Sequence, residues 1–459
     1  MIKMATTTPR PVQKARPISA ERLEEFRARF DEEPRNRQSM NAVTTTPVHT
    51  IAKDRRVVSR MDHIYSHHLP EAKATSQNGS GRCWLFAALN TMRFKAIQDL
   101  KLPEEWELSQ SYLMFYDKLE KANYFLEAIL QTLDEPVGSR LLDWLLASPI
   151  QDGGQWHMFT SLVKKYGVVP KSVYPESESS SSTGQMNGFI TAKLREFAAK
   201  LRARSEAGAT REELEREKDG MMEEVYRFLS IHNGEPPKNF SWQYRDKDKN
   251  FVRDENITPQ KFYEKYIGQD LDDMVCLIHS PQPGKKFNTL YTIRFLGNVV
   301  GGDPIHYLNV DIDILRDAAS KQIQDGKPVW FGCDVGKYLD RDAGIMDTDL
   351  FQYDLVYGSH LEMNKAERLD YGQSLMTHAM VLTGVDLDAK GHPTKWRVEN
   401  SWGEKVGDKG FLSMSDPWFD EFLYEVVVDK SRIPAKLLPI LEQEPVELEP
   451  WDPMGSLAV

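Results

Sequence analysis

The sequence predicts an α+β protein, helical over its front half and strand-rich at its back. Three observations carry that reading. Residues 83–97 place Leu85, Leu89 and Met92 at helical spacing, and residues 191–232 read as two charged helical stretches broken near Gly208. After about residue 376 the pattern changes. Residues 380–383, 396–399 and 424–428 are β-like runs separated by Gly and Asp turns. Finally, 459 residues with 40% hydrophobic and 10% aromatic content can bury a sizeable core, which excludes a wholly disordered chain.

The elements follow in order. Residues 1–50 are rich in Thr, Pro and charge, with one helical stretch over residues 18–30. Ser19 is its N-cap and Glu21 adds charge to the first turn, but Arg22 leaves the capping box incomplete. Residues 1–20 carry Lys3, Arg10, Lys14 and Arg16, with no acid before Glu21. That resembles a mitochondrial presequence in charge, whereas Pro9, Pro11 and Pro17 interrupt an amphipathic helix, so a floppy cytosolic leader is the expectation and import the minor alternative.

Residues 79–82 form a turn before the buried helix, and residues 176–184 are a Ser-rich acidic loop at an insertion boundary. Thr258-Pro259 starts a further helix, and residues 312–325 form another that stops at Gly326 before a strand over 329–331. Residues 434–459 are a proline-rich, acidic tail without a usable period. The expected organisation is a leader (1–55), a helical half (56–175), a mainly helical insertion (176–325), a β-rich half (326–430) and a tail (431–459).

Three scattered cysteines, Cys83, Cys276 and Cys333, cannot build a disulfide framework, so a reducing, intracellular compartment is expected. No run reaches the roughly 18 apolar residues that span a bilayer. The net charge of −11 gives no support for general nucleic-acid affinity. His63, His67 and His68 have partial i, i+4 spacing, but no carboxylate completes a metal site.

Chemistry concentrates in Gln77-Asn78-Gly79-Ser80-Gly81-Arg82-Cys83-Trp84. A thiol is nucleophilic as its thiolate, and the free amides of a helix start favour that charge. Cys83 opens the apolar helix directly after a glycine-containing turn. Gln77 can fold back over that turn to offer its amide to an oxyanion, with the Cys83 N–H as second donor. Downstream, His378 begins one β-like run and Asn400 closes another. An antiparallel pair turning at residues 388–391 sets His378 opposite Asn400 and both side chains on one face. The Asn carbonyl then fixes the imidazole tautomer, and Trp402 shields the bond from water. Cys276 and Cys333 sit in strand-like apolar settings and read as buried thiols.

In this order, Gln77 with Cys83-Trp84, His378-Ala379 and Asn400-Ser401-Trp402-Gly403 resemble the signatures of papain-like cysteine peptidases. The strings Asp152-Gly153-Gly154-Gln155-Trp156, Ser374-Leu375-Met376-Thr377-His378 and Trp451-Asp452-Pro453-Met454-Gly455 are similar to the bleomycin hydrolase branch, the cytosolic aminopeptidases of that family. The resemblance covers roughly residues 60–459.

The resemblance implies a helical half and a β-barrel half with the cleft between them. It assigns Cys83 as nucleophile, His378 as proton shuttle, Asn400 as its orienter and Gln77 as oxyanion donor. Gly153 and Gly154 match the family's substrate-binding glycines. The tail would lie in the cleft, its terminal carboxylate facing a substrate's ammonium, with Val459 trimmed in some members so that Ala458 becomes terminal. It further implies a homohexamer, peptides with a free N-terminus as substrates, hydrolysis of the amide of bleomycin, and no metal or organic cofactor. Nucleic-acid binding is associated with the family, without support from the charge here. Two alternatives keep the same residues: an acyl or peptidyl transferase, and a non-catalytic binding scaffold.

Overall fold

The computed structural model describes residues 16–70 and 72–458. The leader's Lys3, Arg10 and Lys14, and the tail's Val459, lie outside the described residues. The chain divides into two compact units. The smaller holds the described residues up to Arg55 together with Phe351–Glu362. Its first helix, Ala20–Glu32, begins where Ser19 accepts a hydrogen bond from the Arg22 amide at 3.3 Å.

The larger unit, Arg56–Leu350 and Met363–Val459, contains the predicted site residues. Its strands are β1 (His67–His68), β2 (Phe240–Arg245), β3 (Phe251–Ile257), β4 (Met274–Ile278), β5 (Thr289–Ile293), β6 (Tyr307–Asn309) and β7 (Val329–Cys333). There follow β8 (Leu339–Asp340), β9 (Ile345–Met346), β10 (His378–Leu387), β11 (Pro393–Glu399), β12 (Phe411–Ser415), β13 (Leu423–Asp429) and β14 (Val446–Leu448). β2 and β3 form a separate hairpin. The others make one mixed sheet in the order β14-β5-β6-β4-β13-β7-β10-β11-β12-β9-β8, with β1 added beside β10.

The central strands read as unbroken apolar runs because both faces of the sheet are covered. Cys276, Ile278, Trp330, Ala379, Val381 and Val427 pack into one core with the long helices. Their neighbours in sequence, Val275, Leu277, Phe331, Met380, Leu382 and Val426, pack into a second core. That alternation is the period of two of a strand, hidden from a hydropathy reading by burial on both sides.

On the helical side, Cys83–Asp99 is buried on nearly every face. Gln110–Gln131, capped by Ser109, and Trp156–Tyr166 pack beside it. The charged stretch forms Gly184–Glu206 and Arg211–Asn233, separated at Gly208 with φ +87°; Thr210 and Glu213 close a capping box on the second helix. Residues 176–325 are therefore helical at first, but from β4 onward they supply three strands to the main sheet, each too short to show a period.

Two expectations change in detail. The Ser-rich segment is a folded brace instead of a loop: Glu178–Ser181 is a short helix closed by Ser177 and Ser180, and Ser180 is buried. Its short hydroxyls satisfy one another and the backbone, which leaves no apolar signal. The β10–β11 turn forms as expected, the Gly391 amide donating to Asp388 at 2.9 Å. However, Val381 faces Glu399 and Leu382 faces Val398, a slip of two from the predicted pairing that is already present beside the turn, where Leu387 faces Pro393; the two shifts between them, at Asp386/Leu387 and Leu382/Gly384, offset one another. His378 is opposite Cys333 of β7, and Asn400 lies just beyond β11. An even slip preserves the face, so the His378 and Asn400 side chains still meet.

Candidate active site

Cys83 is the first residue of its helix and is buried. Arg82, at the cap position, places no side-chain bond on the helix start, so the first amides remain available to the sulfur. The backbone N–H groups of Ala379, Trp84 and Cys83 itself favour a thiolate, while burial opposes it more strongly and pushes the thiol up to about 11. The Ala379 contact places the sulfur beside the residue that follows His378.

The His378 tautomer follows from the bonds around Asn400. Asn400 Oδ1 accepts from the Ser401 backbone amide at 2.7 Å. A backbone N–H can only donate, so the atom facing it is the Asn oxygen. The same oxygen is 2.9 Å from His378 Nε2, which must carry the proton, leaving Nδ1 as the free lone pair. Burial is the largest influence on His378 and lowers its imidazolium to about 4, against the opposing pull of Asn400. Trp402 lies over this bond, its ring centroid 5.0 Å from the imidazole at 33°. Arg341 sits 4.4 Å from the Trp402 ring. Burial thus opposes charge on each partner taken alone, while the helix-start amides and Asn400 favour it.

Gln77 is held at both ends of its amide. Nε2 donates to the Ser80 carbonyl at 2.6 Å, and Oε1 accepts from Ser401 Oγ at 2.7 Å. A carbonyl partner on one side and a hydroxyl on the other fix the NH2 group toward the turn, with its second N–H unused by that bond. The Gln77 amide donates to the Ser401 carbonyl at 2.8 Å, and Ser76 bridges to Trp402. Ser401 therefore links the oxyanion candidate to the His378–Asn400 pair, and its place in the sequence gave no sign of that.

Asp152 is the second residue that sequence reasoning missed. One oxygen accepts from the Gly81 amide at 2.8 Å and from Thr183; the other accepts from Lys118 at 2.7 Å and Asn187 at 2.8 Å. Burial alone would raise this carboxyl, but Lys118 and the other donors outweigh it and hold it well below the usual range. Asp152 thereby anchors the turn two residues before Cys83. Arg82, fully buried, braces the same turn through a two-pronged bond to Glu176 at 2.9 and 3.2 Å. The Gly79 amide donates to the Ser181 carbonyl at 2.8 Å, so the Ser-rich brace supports this turn too.

Of the predicted glycine pair, Gly154 is set by contact: a Cβ there would lie 2.4 Å from the Trp84 ring. Trp84 Nε1 in turn donates to the Asp152 carbonyl at 2.6 Å. The Gly153 carbonyl accepts from Lys121 Nζ at 2.5 Å.

The tail is ordered by specific contacts. β14 pairs in parallel with β5, Asp452 meets Lys285 at 2.5 Å, and Arg140 stacks on Trp451 at 3.9 Å. Met454 and Leu457 are buried, and Ser456 Oγ donates at 2.9 Å to the carbonyl of Met376, two residues before His378. A 3-10 turn over Pro453–Ala458 ends the described chain.

A cysteine at a helix start, an imidazole with its free nitrogen fixed by an asparagine, and a glutamine held over the same turn are the arrangement of a papain-like cysteine peptidase. The chain belongs to the Peptidase C1-like family, whose sequence profile matches residues 17–455. It is 44% identical over 450 residues to human bleomycin hydrolase, covering 96% of this chain and 99% of that protein. Aminopeptidase C of Listeria monocytogenes is 45% identical over 442 residues, covering 96% and 99%. The crystal structure of PepW from Lactobacillus rhamnosis HN001 superimposes with a TM-score of 0.94 at 46% identity, covering 96% of this chain and 99% of that one.

Proposed function

We propose that this protein is a cysteine aminopeptidase that removes N-terminal residues from peptides and hydrolyses the amide of bleomycin by the same route. The observation that carries the reading is the single tautomer imposed on His378, which leaves Nδ1 as base for the thiol. Cys83 attacks the acyl carbon as its proton passes to His378 Nδ1. The resulting imidazolium is stabilised by Asn400, and the oxyanion by the second Gln77 N–H and the Cys83 amide. His378 then protonates the departing amine, and water, activated by His378, releases the acyl group.

Exopeptidase character is assigned to the tail. Its burial of Met454 and Leu457 and its bond to Met376 support a plug at one end of the cleft, with Gly153 and Gly154 along the wall and Ala458 and Val459 nearest the substrate's N-terminus. A cytosolic setting and a homohexamer complete the proposal, supported by the resemblance of the chain to its relatives. The test compares fluorophore release from free-amino and N-blocked aminoacyl substrates, before and after removal of residues 455–459. The intact protein should cleave only the free-amino substrate, and the shortened one both. Continued exclusion of blocked substrates would overturn the plug, and full activity of Cys83→Ala would overturn the mechanism. Release to an added amine in preference to water would show a transferase.

A further inference from the structure

Trp402 stands between the catalytic pair and a cation that the fold leaves unused. Its ring centroid is 5.0 Å from the His378 imidazole, and the Arg341 guanidinium carbon lies 4.4 Å from the Trp402 ring. Trp402 is half-buried and Arg341 exposed, so the stack opens to solvent. The guanidinium makes no ion pair with any of the described residues, not even with Asp342 beside it.

The backbone presents this side chain in a fixed turn. Arg341 follows β8 directly and leads back into β9. Asp340 Oδ1 accepts from the Asp342 and Ala343 amides at 3.1 and 3.2 Å, and the Arg341 carbonyl accepts from the Gly407 amide at 3.0 Å. A flat, weakly hydrated guanidinium lies well on an indole and still keeps its N–H edge for a carboxylate. Its charge also reaches the active site, where it opposes a positive charge on His378.

We propose that Arg341, stacked on Trp402, receives the free C-terminal carboxylate of a leaving group two residues long, which makes tripeptides favoured substrates. The inference rests on the peptidase reading, in which His378 protonates the departing amine. The departing segment therefore starts beside the imidazole and runs over the ring that covers it. The two ring distances keep guanidinium and imidazole within about 10 Å of one another. Two extended residues cover about 7 Å, and the contact between carboxylate and guanidinium spans the remainder. A longer leaving group carries its carboxylate past Arg341.

Initial rates on Leu-Ala-Ala and its C-terminal amide test the idea at low ionic strength, beside a hexapeptide of Leu followed by five Ala, as acid and as amide. The tripeptide acid should exceed its amide in kcat/KM by about fivefold, mainly through KM, and the hexapeptide acid should match its amide. Added salt should shrink the tripeptide preference. Arg341→Gln should bring the tripeptide ratio to about one, and Arg341→Lys should keep about half of it. Acid and amide meet the same His378, so their ratio cancels any effect of either substitution on the base. A ratio near one in the parent, a preference that survives Arg341→Gln, or an equal preference among the hexapeptides would each overturn the proposal while leaving the peptidase reading intact. Cleavage of none of the four peptides would overturn that reading and this inference with it.

Discussion

Asp152→Asn is the substitution whose consequences the structure specifies most fully. The side chain keeps its shape and loses its charge, but each carboxylate oxygen now accepts two donors. Whichever way the new amide turns, its NH2 faces a pair of donors and satisfies neither. If it faces Lys118, a fully buried ammonium loses its counter-ion. If it faces Gly81, the turn before Cys83 loses its anchor. Removing one partner of a buried ion pair costs about 3–5 kcal/mol, so urea unfolding should show a loss of that order. Displacing Cys83 by a fraction of an ångström should lower kcat/KM by about 10- to 100-fold. Adding Lys118→Met removes the stranded charge, and the double variant should recover about 2 kcal/mol relative to additive single effects. Stability within about 1 kcal/mol of the parent, together with kcat/KM within about twofold, would refute the role given to Asp152.

Ser401→Ala leaves Gln77 Oε1 without its hydroxyl donor, so kcat should fall by about tenfold with KM little changed, as initial-rate kinetics will show. Gly154→Ala brings a Cβ to 2.4 Å from the Trp84 ring and should cost about 1–3 kcal/mol in denaturant unfolding. Glu425 is fully buried, and burial raises its carboxyl to about 8 against the weaker opposing pull of the Cys276 thiol. Its folded form stays protonated while the unfolded chain ionises, so stability is full below the unfolded value near 4.5 and falls as pH rises toward 8. Glu425→Gln should therefore flatten stability between pH 5 and 8 and exceed the parent at pH 7.5 by on the order of 3 kcal/mol; an unchanged pH slope would count against it.

The sequence by itself determined the features that recur along one chain segment. The buried helix was legible because its apolar residues repeat at helical spacing and a glycine-containing turn precedes Cys83. The break near Gly208 was legible because a glycine interrupts two charged helical stretches there. His378 and Asn400 could be placed on one face because side chains alternate along a strand, and that parity survived a pairing that slipped by two.

Only the tertiary structure decided which polar residues complete the site. Ser401 reaches Gln77 across 324 positions, and Asp152 reaches Gly81 across 71. Serines and aspartates such as these carry no periodicity, and their meaning lies in the partner that folding brings to them. The Ser-rich segment around residue 180 looked like a loop for the same reason, although its hydroxyls close a short helix and its Ser181 carbonyl braces the turn before the thiol. The strand register was likewise set by the turn, which pairs Leu387 with Pro393 and thereby moves Leu382 and Val381 by the same two positions. A chain announces its apolar periods locally. The hydrogen bonds that fix a tautomer and hold an oxyanion donor depend on contacts made only when distant segments close on one another.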